Sequence, residues 1–200
     1  TEFRMSFISE GITCLLQNTH RLFGDVRCLV NQQRYATARF LLTTAIEEIA
    51  KIYILLDMVR LDIKKHKSVA KKLCAAFYDH ISKHAYYEVQ SFDRLRDIEH
   101  AYNFWEIETK KFWKGDFFSG EPDMPHDTYF SRQLPLFVDC ECTFSCWSIP
   151  ENKTYEFFFE PDDLNVFMIV KSKFDEFEYA DYKGLFTSES LNLLHLTFKD

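Results

Sequence analysis

The sequence predicts a mainly helical fold: an up-and-down bundle with a small β-hairpin and C-terminal helices. Three observations predict it. Gly and Pro number only 5 each among 200 residues, so long stretches run without a breaker. Apolar residues recur at three- and four-residue spacing through most of the first 113 positions. The chain then changes character, where Gly115, Gly120, Pro122, Pro125 and Pro135 interrupt any helix.

The first helix is expected from Phe7 to about Gln32, with Ile8, Ile12, Leu15, Leu16, Leu22, Phe23, Val26 and Leu29 at helical spacing and Ser9 near its cap. Asn31-Gln32-Gln33 makes a short polar break. The second helix, Tyr35 to about Leu61, carries the stripe Ala38, Leu41, Ala45, Ile49, Ile52 and Leu56. A link this short makes the two helices antiparallel neighbours. A basic stretch, Lys64-Lys65-His66-Lys67, precedes a third helix from Ser68 to about Val89, with Val69, Leu73, Ala76, Phe77 and Ile81 facing in. A fourth is expected from Ser91 to about Trp113, with Leu95, Ile98, Tyr102 and Trp105 on one side.

Beyond a loop over 115–131, Leu134 to Phe144 and Thr154 to Glu160 read as two strands, with Ser148 to Lys153 turning between them. Asp162 or Asp163 can cap a long helix through about Tyr182, and Ser188 a short one through Leu196. Residues 5–114 therefore form the helical bundle. Residues 115–200 supply the loop, hairpin and C-terminal helices, packed on the same domain because two strands cannot hold a core alone.

Composition excludes several function classes. Hydrophobic residues at 46% and aromatics at 17% mark a globular chain rather than a disordered one. The longest apolar candidate, Ala36 to Leu56, contains Arg39, Glu47, Glu48 and Lys51 and is a poor membrane span. No secretory leader is evident. Met5 reads as a natural start, with residues 1–4 set aside, and the expectation is a cytoplasmic protein without membrane contact. The six cysteines are then reduced thiols, and Cys140, Cys142 and Cys146 lack zinc spacing, so no metal or cofactor is expected. The net charge of −7 is uneven. Residues 1–59 balance, 60–115 carry +4 and 116–200 carry −11. Only the middle third can offer phosphates a basic patch.

The residues that could carry chemistry lie on the second and third helices. Helical phase places Glu48 at the edge of the apolar stripe and Glu47 further towards solvent, where it can pair with Lys51 at i,i+4. A carboxylate bordering an apolar seam must find a partner. His80 and Lys83, three apart, share one face of the third helix with His84. The expectation is that Glu48 meets His80 or Lys83 across the helix pair, as a catalytic set or as a structural ion pair.

Ala38-x-x-Leu41-x-x-x-Ala45-Ile46-Glu47-Glu48-Ile49-Ala50-Lys51 resembles the central helix of the AbiV family of abortive infection proteins. Phe77-Tyr78-Asp79-His80-Ile81-Ser82-Lys83 is similar to that family's second motif, and Leu136-Phe137-Val138-Asp139, running on to Trp147 and Pro150, to its late strand segment. The resemblance covers roughly residues 8–150 and implies a HEPN-like helical bundle, often dimeric, in a superfamily with many metal-independent endoribonucleases. It also implies a phage-encoded protein as trigger. The usual HEPN motif, Arg, a short gap, then His, is met here by Arg94 and His100 and again by Arg60 and His66. About one such match is expected by chance.

Three functions follow as expectations. The first is an antiphage effector that answers a phage product and arrests growth or translation. The second is an endoribonuclease, with a His as base and Lys83, Arg94 or Arg96 near the phosphate. The third is a helical protein-interaction module in which the Glu/His/Lys set is purely structural.

Overall fold

The structure, a computed structural model, describes residues 2–91, 139–141, 146–148 and 161–198. Six helices and one strand pair occur among them, in the order α1 (Glu2–Asn31), α2 (Tyr35–Arg60), α3 (Lys67–Tyr78), α4 (His80–Ser91), β1 (Asp139–Glu141), β2 (Cys146–Ser148), α5 (Pro161–Tyr182) and α6 (Ser188–Phe198). The mainly helical expectation holds.

α1 begins earlier than its apolar pattern suggests. Ser9 lies within the helix, where its carbonyl accepts from Thr13 Oγ1, rather than at a cap. Arg4, set aside in the sequence, donates from Nη2 to the Met58 carbonyl near the end of α2. At its other end α1 closes with Arg34 N–H donating to Leu29 O at 2.9 Å and Gln33 N–H to Val30 O at 2.9 Å. This paired closure requires a left-handed residue, and Gln33 supplies it with φ 59°. The same closure ends α5, where Gly184 adopts φ 72° without a Cβ penalty. The turn at Gln33 returns α2 antiparallel to α1, so that Gly11 faces Leu55.

The main core lies among α1, α2, α5 and α6. Met5, Ile12 and Val26 from α1, Ala45, Ile49 and Ile52 from α2, Phe174 from α5 and Leu191 from α6 are fully buried. Phe23 packs on Phe174 and Phe167 with ring centroids 5.3 and 5.6 Å apart. A second cluster, Ile54, Leu61, Leu73, Ala76, Ile81, Ala85 and Tyr86, joins α2 to α3 and α4. α2 is therefore covered on two faces. The second face reads Thr43, Glu47, Ala50, Ile54, Asp57 and Leu61, all buried and spaced alternately four and three apart.

Four expectations are corrected. The third helix is not continuous: Asp79 is extended (φ −84°, ψ 125°) and divides α3 from α4. Its Oδ2 accepts from Ser82 N–H at 2.7 Å, so Asp79 acts as the N-cap of α4. The cap of the last helix is Thr187 rather than Ser188, with Oγ1 accepting from Ser190 N–H at 3.3 Å. α5 begins at Pro161, ahead of the expected Asp162 or Asp163 cap, since Pro needs no N–H in a first turn. The expected hairpin between 134–144 and 154–160 is not supported. Asp139–Glu141 instead pairs antiparallel with Cys146–Ser148, in the register Asp139 to Ser148, so that Ser148, expected in the turn, lies in a strand. The expected second strand and nearly all of the expected fourth helix lie outside the described residues.

The Asp79 cap can be tested by stability. Asp79→Ala is expected to lower unfolding free energy by about 1 kcal/mol, whereas Asp79→Asn, which can still accept from Ser82, retains most of it. Urea melts of both variants compare them directly.

Candidate functional site

The second face of α2 determines the site. Glu47 lies on that face, between Thr43 and Ala50, and points at the first turns of α4. Asp79 ends α3 and starts α4 there, so His80 is the first residue of α4 and Lys83 and His84 follow one turn on. The three side chains converge on one carboxylate. His80 Nδ1 lies 2.7 Å and Lys83 Nζ 2.8 Å from Glu47 Oε2, and His84 Nε2 lies 3.4 Å from Oε1. The Glu47 and Lys83 side chains are each 4% exposed and that of His80 is 43% exposed, so His80 is the member that reaches solvent.

This overturns the expected division between the two glutamates. Glu48 does not meet His80 or Lys83; its Oε1 accepts from Lys51 Nζ at 2.7 Å. The expected Glu47–Lys51 pair is not formed. Lys51 pairs with Glu48 and sits 5.6 Å from the Phe77 ring centroid. The physical reason is the burial of α2 on two faces. Phase measured from a single apolar stripe turns Glu47 outwards, but outwards from that stripe is towards α4. The signal that could have found Glu47 is its place in the four-three repeat from Thr43 to Leu61, obscured because two of its six members are carboxylates.

Burial by itself raises the Glu47 carboxyl. The interactions with His84, Lys83 and His80 outweigh that effect and hold the group well below the usual carboxylate range. A carboxylate accepts only, so the proton between it and His80 is carried by Nδ1. In the neutral imidazole this leaves the lone pair on Nε2, the nitrogen not committed to Glu47. A buried carboxylate that fixes the tautomer of a half-exposed histidine is the arrangement used to prepare a general base. Lys83 Nζ lies 3.3 Å from His80 Nδ1 because both donors share Oε2. Its ammonium is therefore committed to Glu47.

A second buried carboxylate, Asp57, lies three turns along the same face. It accepts from Tyr86 Oη, from Gln90 Nε2 at 3.3 Å and from Arg60 Nη1 at 2.9 Å. Burial pushes this carboxyl up, against the lowering effect of Arg60. Neither Asp57 nor Tyr86 stood out in the sequence. Arg60 is thus bound to Asp57 and packs over the Phe198 ring, while His66 is exposed ahead of α3. Arg60 and His66 do not form a joint site with Glu47. Arg94, Arg96 and His100 lie outside the described residues. Among the described residues, no group of three or more His, Cys, Asp or Glu side chains is placed to hold a metal ion. No helix among them is long and apolar enough to cross a membrane.

The Asp-His motif at the start of α4 and the Glu-Glu-x-x-Lys motif of α2 now stand within one packed helix pair. The family model for AbiV, of the HEPN class, matches residues 7–157. The chain belongs to the HEPN AbiV family. This membership carries an abortive-infection, defence-type role. The match spans both helices of the site and the motif residues on each. No curated protein and no solved structure matches the chain.

Two outcomes follow for the glutamates of this AbiV protein. Glu47→Ala leaves Lys83 buried beside two histidines and is expected to cost about 3–5 kcal/mol, whereas Glu48→Ala breaks a partly buried i,i+3 pair within α2 whose cation, Lys51, is 20% exposed, and should cost less. Chemical denaturation of the two variants reads the difference. The pH dependence has a definite sign. Glu47 is depressed in the folded state, so its contribution is present above the ordinary carboxylate value of about 4.3 and is lost as pH falls towards its folded value. Glu47→Gln is therefore expected to be less stable at pH 7 and to show a shallower loss of stability below about pH 4.3.

Proposed function

We propose that this protein is an abortive-infection effector that answers a phage-encoded protein and arrests growth or translation from the cytoplasm, as a homodimer. The observation that carries the reading is the convergence of His80, Lys83 and His84 on the buried Glu47. Burying this carboxylate beside an ammonium and two imidazoles is expensive in desolvation, and hydrophobic residues of similar volume would pack the same seam at lower cost. The set does more than pack: it presents one oriented imidazole to solvent.

A second reading, metal-independent RNA cleavage as the effector step, is favoured by that orientation. His80 Nε2 would take the proton of a ribose 2′-hydroxyl as its oxygen attacks the adjacent phosphorus. The bond to the 5′-oxygen then breaks, and that oxygen leaves as it takes a proton from water, giving a 2′,3′-cyclic phosphate and a 5′-hydroxyl. Glu47 would stabilise the imidazolium formed. Lys83 serves this chemistry by holding Glu47, since its ammonium is turned inwards. The purely structural reading gives the same network no part in the response.

Cells expressing the wild-type protein, His80→Ala or Lys83→Ala, challenged with phage, separate these readings. His80→Ala is expected to fold and to abolish protection. Arrest of protein synthesis with intact RNA supports the effector reading, and His80-dependent RNA fragments support cleavage. Full protection by His80→Ala rules out the site.

A further inference from the structure

The outward face of α3 has no part in the core. Leu73 and Ala76 are its buried residues, with Val69, Ala70 and Phe77 partly buried beside them. At 100° per residue, Lys67, Lys71, Cys74 and Tyr78 fall on the opposite side in one stripe, at steps of four, three and four. All four are exposed, and Tyr78 is 79% exposed. The stripe runs roughly 16 Å along the helix. Lys64, Lys65 and His66, also exposed, extend it at its beginning.

No Asp or Glu occurs from Ile63 to Tyr78, in a chain whose net charge is −7; Asp62 stands at the beginning of the stretch, 4.0 Å from Lys65, and the exposed Asp79 at its end. The first turn of α3 holds no acidic residue, and Lys67 opposes the helix dipole there. Such an arrangement costs local stability and attracts anions. An aromatic ring stands at the other end of the stripe. Tyr78 is braced edge-on by Phe77, with ring centroids 5.4 Å apart, and does not fill the core. Two positions further on is His80, whose side chain is the solvent-reaching member of the Glu47 set.

We propose that the outward face of α3 is the docking surface for a single-stranded polynucleotide, with Lys67 and Lys71 on its phosphates and Tyr78 stacking a base beside His80. The combination selects this partner. A basic face alone fits any polyanion, and a duplex keeps its base faces stacked inside. A lone exposed tyrosine at the end of a lysine stripe fits a chain that offers both phosphates and unstacked bases. Tyr78 precedes His80 by two positions, so the role of the surface in the response rests on the cleavage reading, but binding itself does not require it.

The test is fluorescence anisotropy of labelled 12-nucleotide RNA and DNA single strands with the full chain carrying His80→Ala, across a salt series. Binding that weakens with salt is expected. Adding Lys67→Gln and Lys71→Gln together should lower the slope of log affinity against log salt by about 1.4. Adding Tyr78→Ala should weaken binding about fivefold or more and leave that slope unchanged. Tighter binding of RNA than DNA assigns RNA as the source, and equal binding assigns single strands of either sugar. No binding up to roughly 100 μM overturns the proposal. So does an unchanged affinity in Tyr78→Ala, or displacement of the strand by polyglutamate as effective as by unlabelled strand, which would assign an acidic protein. Circular dichroism checks that each variant keeps its helices. Because binding is read without cleavage, a failed cleavage assay beside intact binding removes the cleavage reading alone.

Discussion

The contact on which the site depends is that of the Glu47 carboxylate with the start of α4. Glu47 is held on α2, whose other face is fixed in the main core by Ala45, Ile49 and Ile52. His80, Lys83 and His84 come from a helix whose start is set by Asp79. One side chain therefore ties the register of α4 to a helix that is covered on two faces. Sliding α4 by a single residue would turn His80 and Lys83 away and leave a carboxylate buried without its partners. The ion set selects one register rather than adding much stability, because desolvation consumes most of the Coulombic gain.

The two carboxylates on this face of α2 show how partners decide charge. Both are nearly removed from water, and burial raises both. Glu47 faces Lys83 and two histidines and is driven down. Asp57 meets two neutral donors, Tyr86 and Gln90, and a single guanidinium, and stays up. Along one helix face, the same functional group is thus held firmly charged at one point and drawn towards the neutral form at another. The charged one lies beside the half-exposed imidazole, where a fixed negative charge can orient a proton carrier.

Much of the fold was legible in the sequence, because α1, α2, α5 and α6 bury stripes with ordinary helical periodicity. The seam of α2 with α4 was not. Its face on α2 carries Glu47 and Asp57, so hydrophobicity alone does not trace it, and the phase of Glu47 was measured from the wrong side. The break at Asp79 was hidden for a different reason. No Gly or Pro marks it, and Val69, Leu73, Ala76, Phe77 and Ile81 keep helical spacing across it. Only the capping capacity of Asp79, expressed once Ser82 presents its N–H, reveals the boundary. His80 and Lys83 were correctly brought to one carboxylate, but the carboxylate was the neighbour of the one expected.

The local rules that α3 and α4 break point in one direction. A helix start favours acidic side chains, since its unpaired N–H groups carry partial positive charge. The first turns of α3 and α4 contain none, and instead hold Lys67 and His80, with Lys83 and His84 just beyond. On α4 the N-cap carboxylate of Asp79 already supplies negative charge at the helix start, and Glu47 adds a second across the helix interface. On α3 the lysine stripe faces outwards, and the helix sequence supplies no acidic residue of its own. Sequences tolerate such local conflicts where function demands them. An external anion on α3 would do for its lysines what Glu47 does for Lys83 of α4. The two helices, joined at Asp79, then bring a place for an arriving negative charge next to one that is already filled.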